Sequence, residues 1–178
     1  MKPSRVYDRR SLGARLSVAA LVLFTVTLQL CQTILAQVAK PELVEFNSGA
    51  FQLKGFLWKP SGDGPFRALL WNHGSEKGPG AVDGVAPYFV SRGYVFFVPH
   101  RRGQGRSPGP YIMDELNRAG DRDGRNQAIV GLQETHLKDQ LAALDFLKTL
   151  AFVDKNRIAV MGFSFGGIQT MLAVEQGV

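Results

Sequence analysis

Short apolar runs alternate with helical repeats along most of the chain, beginning at residue 43. The first two runs, Leu43–Asn47 and Phe51–Trp58, are separated by Ser48 and Gly49, which are typical turn residues. This arrangement predicts a β-hairpin. Residues 60–65 are rich in proline and glycine, so a loop is predicted to follow it.

Two further runs, Arg67–Asn72 and Tyr94–Val98, are nearly continuous in apolar side chains. Such strands are buried on both faces, as in parallel sheets. Between them, Val85–Arg92 carries apolar residues at helical spacing and stops at Gly93, a residue that often ends a helix. The order of these segments predicts a strand–helix–strand unit.

A last apolar run, Arg157–Met161, follows a longer helical pattern. Leu132–Leu150 places leucines on one side and charged side chains, Asp139 among them, largely on the other. Helical spacing resumes from Ile168. Together the segments predict an α/β fold with five strands, two in the hairpin and three parallel.

The stretch Arg101–Val130 shows little periodicity and is rich in glycine, proline and charge. Structureless loops of that length are uncommon unless they are functional. It is interpreted either as a loop on the substrate side or as a surface excursion with one short helix near Ile112–Asn117. Its arginines, Arg101, Arg102 and Arg106, either hold a carboxylate or phosphate or pack the loop, and we favour packing.

The turn after the last strand carries the strongest chemical signal. Gly162-x-Ser164-x-Gly166 follows a strand and precedes a helix, which is the context of a nucleophile elbow. Such a turn strains the backbone of its central residue, and flanking glycines let neighbouring backbone approach. We expect an outward-facing Ser164 hydroxyl, with the N–H of Phe165 directed at a developing oxyanion. The alternative is a glycine-rich connection without chemistry.

A second oxyanion donor is expected in the loop that follows Trp71. His73, Gly74 and Ser75 come after a buried strand, where hydrolases with such an elbow supply another N–H. We assign this donor to the backbone of Ser75. His73 is interpreted as a residue that orders the loop by hydrogen bonding, and not as a catalytic base.

Composition limits the other possibilities. The chain has 178 residues, of which 45% are hydrophobic and 20% charged, as expected for one packed domain. The single cysteine, Cys31, excludes an internal disulfide and a cysteine-based zinc site. No P-loop or H-E-x-x-H sequence occurs, so neither cofactor nor metal is expected.

The amino-terminal segment holds most of the net charge of +6, so the rest is nearly neutral and no nucleic-acid face is expected. Residues 1–36 resemble a signal peptide, with a basic start, an apolar run over Leu16–Leu28 and a possible cleavage end at Ala36. We expect an exported protein, periplasmic or secreted, with residues 37–178 as its mature part. A retained membrane anchor is the alternative, because Leu16–Ala39 approaches the roughly 20 residues that span a bilayer.

Three motifs, in this order, resemble the α/β-hydrolase superfamily and specifically its dienelactone hydrolase and prolyl-oligopeptidase-like branches. They are Asn72–Ser75, the arginine- and glycine-rich His100–Ser107, and Gly162–Gly167, and the resemblance runs from about residue 44 to the end. It implies the N-terminal portion of an α/β-hydrolase fold, a mostly parallel sheet with flanking helices. Dienelactone hydrolases carry cysteine at the nucleophile position, so Ser164 favours esterase or peptidase chemistry.

The resemblance implies a serine hydrolase that cleaves an ester, lactone or short peptide bond through an acyl-enzyme on Ser164. The N–H groups of Ser75 and Phe165 would stabilise the oxyanion. A small-molecule ester or peptide is the expected partner. No cofactor, metal or nucleic acid is implied, and membrane contact is expected only if the N-terminal segment stays uncleaved.

The base and the acid depart from the superfamily pattern. Its order is serine, acid, histidine, whereas His73, His100 and His136 all precede Ser164. The latter two histidines are interpreted as structural. Residues 37–178 are therefore predicted to form an incomplete hydrolase domain, and its alternative role is that of a non-catalytic fragment that serves as a binding or assembly unit.

Overall fold

One five-stranded mixed sheet organises residues 40–177, the part of the chain that the computed structural model describes. The strands stand in the order β1-β2-β4-β3-β5. The first pairs are antiparallel, and β3 runs parallel to both β4 and β5, which confirms the predicted hairpin and three parallel strands. The strand bounds are β1 (Glu42–Ser48), β2 (Phe51–Trp58), β3 (Phe66–Asn72), β4 (Tyr94–Pro99) and β5 (Val153–Gly162).

Helices fill the connections between the parallel strands. A short helix joins β3 to β4, two helices join β4 to β5, and the last helix follows β5 directly. Their bounds are α1 (Ala86–Val90), α2 (Ile112–Arg118), α3 (Arg122–Thr149) and α4 (Phe165–Glu175). The predicted signal segment, residues 1–36, lies outside the described residues. Within residues 40–177, no helix is both long and apolar enough to cross a membrane.

The long helix α3 begins ten residues before its predicted start, so the prediction of a helix from Leu132 was wrong at this end. Asp121 caps the helix, because its carboxylate accepts a hydrogen bond of 2.9 Å from the backbone N–H of Gly124. The first turns contain Gly124, Gly131 and mostly polar residues. Because apolar residues at helical spacing are scarce there, the sequence pattern does not predict a helix.

The position of Asp139 on α3 was also predicted wrongly. It was placed on the solvent face, yet it is 1% exposed. Its carboxylate accepts hydrogen bonds from the Ser48 hydroxyl at 2.6 Å and from the Arg102 guanidinium at 2.6 and 2.9 Å. A buried ion pair of this kind joins α3 to the hairpin and to the loop after β4.

Both faces of the sheet are covered, as the apolar runs indicated. On β4, Phe97 packs with α3 residues such as Leu144, whereas Phe96 packs on the opposite face with α1. Successive side chains of a strand point to opposite faces, so a strand buried on both must be apolar throughout. This packing holds β3 in the interior of the sheet, next to β5.

The elbow and the outer face of α4 expose apolar side chains. Phe163 is 70% exposed, Met171 73% and Val174 59%. Large apolar side chains with this exposure are candidates for contact with other surfaces. The strand before the elbow, β5, lies at one edge of this five-stranded sheet.

Candidate active site

The elbow is a tight turn between β5 and α4. Ser164 has φ 54° and ψ −124°, a backbone conformation that residues other than glycine rarely adopt. The residue is solvent-exposed. The turn is held by a hydrogen bond of 3.2 Å from the N–H of Phe163 to the carbonyl of Asn72, and by one of 2.9 Å from Gly166 N–H to Phe163 O. The sharp bend predicted after the strand is therefore present.

Both glycines of the elbow are required by close backbone contacts. A Cβ added to Gly162 would lie 2.1 Å from the carbonyl oxygen of Gly166. One added to Gly166 would lie 2.0 Å from the carbonyl oxygen of Asn72. Because these neighbours are backbone atoms, they cannot move aside as a side chain can. The glycine spacing is thus a requirement of the turn itself.

The loop after β3 lies against the elbow. A Cβ on Gly74 would be 3.6 Å from the Cβ of Ser164, so the peptide before Ser75 borders the exposed hydroxyl. Ser75 itself is half-buried, and its carbonyl accepts a hydrogen bond of 2.8 Å from the Tyr111 hydroxyl. Within residues 40–177, the N–H groups of Ser75 and Phe165 have no hydrogen-bond acceptor.

Arg101 holds this loop from inside the protein. It is fully buried, and its guanidinium donates a hydrogen bond of 2.8 Å to the carbonyl of His73 and another of 2.5 Å to the carbonyl of Gly74. The side-chain amide of Gln104 donates to the carbonyls of Gly74 and Glu76 at 3.2 and 2.7 Å. The backbone of the loop is therefore fixed by two side chains that follow β4.

The two neighbouring arginines have different partners. Arg102 pairs with Asp139, whereas none of the described carboxylates lies within 4.0 Å of Arg101. Burial lowers the pKa of Arg101 to about 9, so the guanidinium remains charged at neutral pH. Both arginines pack the loop, as favoured from the sequence, while Arg106 is exposed.

None of the described histidines is placed to act as a base for the Ser164 hydroxyl. All three are buried, and burial lowers the pKa of His100 and of His136 to about 4 and that of His73 well below its usual value. The Nδ1 atom of His100 accepts from the N–H of Arg106 at 3.0 Å. In residues 40–177, no histidine hydrogen-bonds to the hydroxyl of Ser164.

Three residues around the site were missed from the sequence. Gln104 and Tyr111 bind the loop of Ser75, and Asp139 binds Arg102. Gln104 lies within the motif His100–Ser107 but was given no role there, and the other two belong to no motif. Their positions depend on contacts between residues that are far apart in the chain, so no local signal pointed to them. Among the described residues there is also no group of three potential metal ligands.

The fold and the elbow define the class of protein as an α/β hydrolase. Acylaminoacyl peptidase from Pyrococcus horikoshii superposes with a TM-score of 0.58 at 23% identity, over 82% of this chain and 22% of that one. Est1E from Butyrivibrio proteoclasticus, solved with ferulic acid bound, gives a TM-score of 0.58 at 20% identity, over 75% of this chain and 47% of the other. These similarities show the N-terminal portion of the α/β-hydrolase fold, as predicted.

Within that class, the chain belongs to the prolyl oligopeptidase family, whose pattern matches residues 81–177. It is also 32% identical over 132 residues to the uncharacterized peptidase YtmA of Bacillus subtilis (strain 168). That match covers 73% of this chain and 44% of the relative. The chain thus spans less than half the length of the curated relative that it matches.

Proposed function

We propose that Ser164 is the nucleophile of a serine hydrolase that cleaves an ester or peptide bond through an acyl-enzyme. The hydroxyl would attack the carbonyl carbon, and the N–H groups of Ser75 and Phe165 would stabilise the resulting oxyanion. Collapse of that intermediate would expel the alcohol or amine, and water would then release the acid. Membership of the prolyl oligopeptidase family supports this chemistry.

The observation that carries the proposal is the backbone of Ser164. A positive φ at a residue other than glycine costs about 1 to 3 kcal/mol and persists only where the surrounding structure maintains it. Here it exposes one hydroxyl beside two backbone donors without acceptors among residues 40–177. A purely structural connection between β5 and α4 would gain nothing from such strain.

The base and acid are proposed to come from outside residues 40–177. A serine hydroxyl at neutral pH is a weak nucleophile and needs a neighbouring base. The described histidines are buried with lowered pKa values, and none bonds to Ser164. In this superfamily the acid and histidine follow the nucleophile in the chain.

A fluorophosphonate probe tests this assignment on the complete protein. The probe should attach to Ser164, as located by peptide mass spectrometry, and Ser164→Ala should abolish the labelling. Ser75→Ala is the matched control: it should keep the labelling, because the proposal uses only the backbone N–H of Ser75. Absence of label on Ser164, or label on another serine, would contradict the assignment.

The second candidate function is a non-catalytic binding or assembly unit. It is favoured because no histidine of residues 40–177 hydrogen-bonds to Ser164, and by the exposed apolar side chains of α4, such as Met171. The labelling experiment distinguishes the two functions. A complete protein that unfolds cooperatively but does not react at Ser164 would support the binding unit.

The finer assignments are also proposals. Serine at position 164 favours the esterase or peptidase branch over the dienelactone hydrolases, which carry cysteine there. We further propose that residues 1–36 export the protein as a cleaved signal. Amino-terminal sequencing tests the export proposal: a mature chain that starts after Ala36 supports it, and an intact Met1 contradicts it.

A further inference from the structure

Arg101 is a buried cation whose guanidinium hydrogen-bonds to two backbone carbonyls, to the Gln104 side-chain oxygen and to the Nδ1 atom of His73. No carboxylate of residues 40–177 lies within 4.0 Å of it. Its side chain is fully buried, and burial of a charge is costly unless the charge is well hydrogen-bonded. The neighbouring Arg102 compensates the cost of burial in the usual way, by an ion pair with Asp139 at 2.6 Å. The contacts of Arg101 therefore require a separate explanation.

The carbonyl of Gly74 connects Arg101 to the oxyanion donor. This oxygen accepts from the guanidinium and also from the Gln104 amide at 3.2 Å, and the Nδ1 atom of His73 lies 2.9 Å from it. It belongs to the same planar peptide as the N–H of Ser75. In a trans peptide the carbonyl and the N–H point in opposite directions, so fixing the carbonyl on Arg101 turns the Ser75 N–H away from the interior.

Arg101 also contacts the residue that carries the other donor. The central carbon of its guanidinium lies 4.8 Å from the ring centroid of Phe165, a cation–π distance. The Phe165 ring is buried. The backbone N–H of Phe165 lies in the first turn of α4, where no carbonyl of the helix can accept its hydrogen bond. One buried side chain thus contacts the Gly74 carbonyl, which shares a peptide with the Ser75 N–H, and the ring of Phe165.

We propose that Arg101 is a positioning residue for the oxyanion hole, assisted by Gln104. This inference rests on the proposed function and adds residues to it. Arg101 does not touch substrate; it fixes the peptide between Gly74 and Ser75 and the ring of Phe165. Its charge also polarises the Gly74 carbonyl, and hydrogen-bond chains strengthen each member, so the Ser75 N–H becomes a better donor.

Paired oxoester and thionoester substrates test the inference in the complete protein. Sulfur accepts hydrogen bonds weakly, so an intact oxyanion hole favours the oxygen substrate over the matched sulfur one. In Arg101→Gln we expect kcat for the oxoester to fall by about tenfold or more with little change in KM, since loss of one donor costs about 10² to 10³. The ratio of oxoester to thionoester rates should fall with it.

Two further variants separate positioning from folding. Arg101→Lys keeps the charge but not the planar fork, and we expect a ratio between those of the wild type and Arg101→Gln. Arg102→Gln is the matched control, since it breaks the Asp139 ion pair and should lower the melting temperature without changing the ratio. A folding defect removes active enzyme and lowers both rates equally.

Gln104→Met keeps the inference testable if the Arg101 variants do not fold. It removes one donor to the Gly74 carbonyl and should lower the ratio in the same direction, by a smaller factor. If Arg101→Gln folds and its ratio of oxoester to thionoester rates equals that of the wild type, the inference is overturned. If only Gln104→Met folds, an unchanged ratio in that variant overturns it. A folded wild type that hydrolyses neither substrate and does not label at Ser164 overturns the proposed function instead.

Discussion

Ser164 and the glycines around it make the elbow possible at the scale of single residues. Ser164 keeps a positive φ because the turn is hydrogen-bonded to the end of β3, where Asn72 accepts from Phe163. The side chain of Asn72 also donates to the Thr170 hydroxyl on α4 at 2.9 Å. These contacts between β3 and α4 maintain the strain that presents the hydroxyl.

Gly166→Ala should destabilise the protein by several kcal/mol. The added methyl would lie 2.0 Å from the Asn72 carbonyl and 2.5 Å from that of His73, so β3 and α4 would have to separate. Gly167→Ala is the control, because its methyl meets only the Gly162 carbonyl at 3.7 Å, and alanine favours a helix by about 1 kcal/mol. Urea unfolding of both variants measures the difference. Equal stability would contradict the close approach seen at Gly166.

The sequence could predict residues whose role follows from local geometry. The spacing of Gly162, Ser164 and Gly166 identified the elbow because the turn is built from consecutive residues. Arg101 was recognised only as an arginine that packs its loop, since its contacts reach Gly74 and Phe165 from a different segment. Burial of that kind depends on the tertiary fold and leaves no periodic signal.

At the scale of elements, α3 differs most from its prediction because polar residues lie on its buried face. Gln133, His136, Asp139 and Gln140 are all nearly inaccessible. A search for an apolar stripe cannot find such a face, which explains both the late predicted start and the misplaced Asp139. The first four strands were predicted to within one residue at each end, because a strand buried on both faces is apolar throughout. The strand β5 begins at Val153, four residues before its predicted start, because Lys155 and Asn156 are polar and exposed.

His136 on α3 should make the protein sensitive to acid. Burial lowers its pKa to about 4, with Arg101 and Arg102 acting in the same direction and Asp139 opposing them. The unfolded chain takes up this proton near pH 6.5, so stability is complete above that value and falls between about 6.5 and 4. Below pH 4 the native protein is protonated as well, and the loss stops.

His136→Leu should remove one proton from this dependence. Neither ring nitrogen of His136 has a hydrogen-bond partner in residues 40–177, so leucine loses no such bond. Between pH 6 and 5 the stability of the variant should fall less steeply than that of the wild type, by about 1.4 kcal/mol per pH unit. His100, which has a similarly lowered pKa, remains in both proteins. Identical slopes in urea unfolding at several pH values would refute the assignment.

At the scale of the molecule, residues 40–177 carry the groups proposed for one side of an active site. They are the proposed nucleophile Ser164, the proposed donors at Ser75 and Phe165, and the side chains of Arg101 and Gln104 that hold the loop. The same part of the chain exposes the apolar face of α4 beside the edge strand β5. The elbow therefore lies next to a surface suited to further contacts.

The fold class could be predicted from the sequence, and so could the departure of the base and acid from the superfamily order, whereas the residues that act as base and acid could not. Alternating strands and helices, together with the motifs at Ser75 and Ser164, indicated the α/β-hydrolase fold that the solved structures show. The base and acid depend on residues that meet Ser164 in three dimensions, and no histidine of residues 40–177 hydrogen-bonds to its hydroxyl. A nucleophile in an elbow can be predicted from consecutive residues, whereas its base comes from a distant part of the chain and cannot.

A crystal structure of the complete protein after reaction with a phosphonate tests the central claim most directly. The phosphorus should be bonded to the Oγ atom of Ser164, and one phosphoryl oxygen should lie about 3 Å from the backbone nitrogens of both Ser75 and Phe165. An adduct on another residue would contradict the account. So would a phosphoryl oxygen that faces solvent, with either nitrogen beyond roughly 3.5 Å.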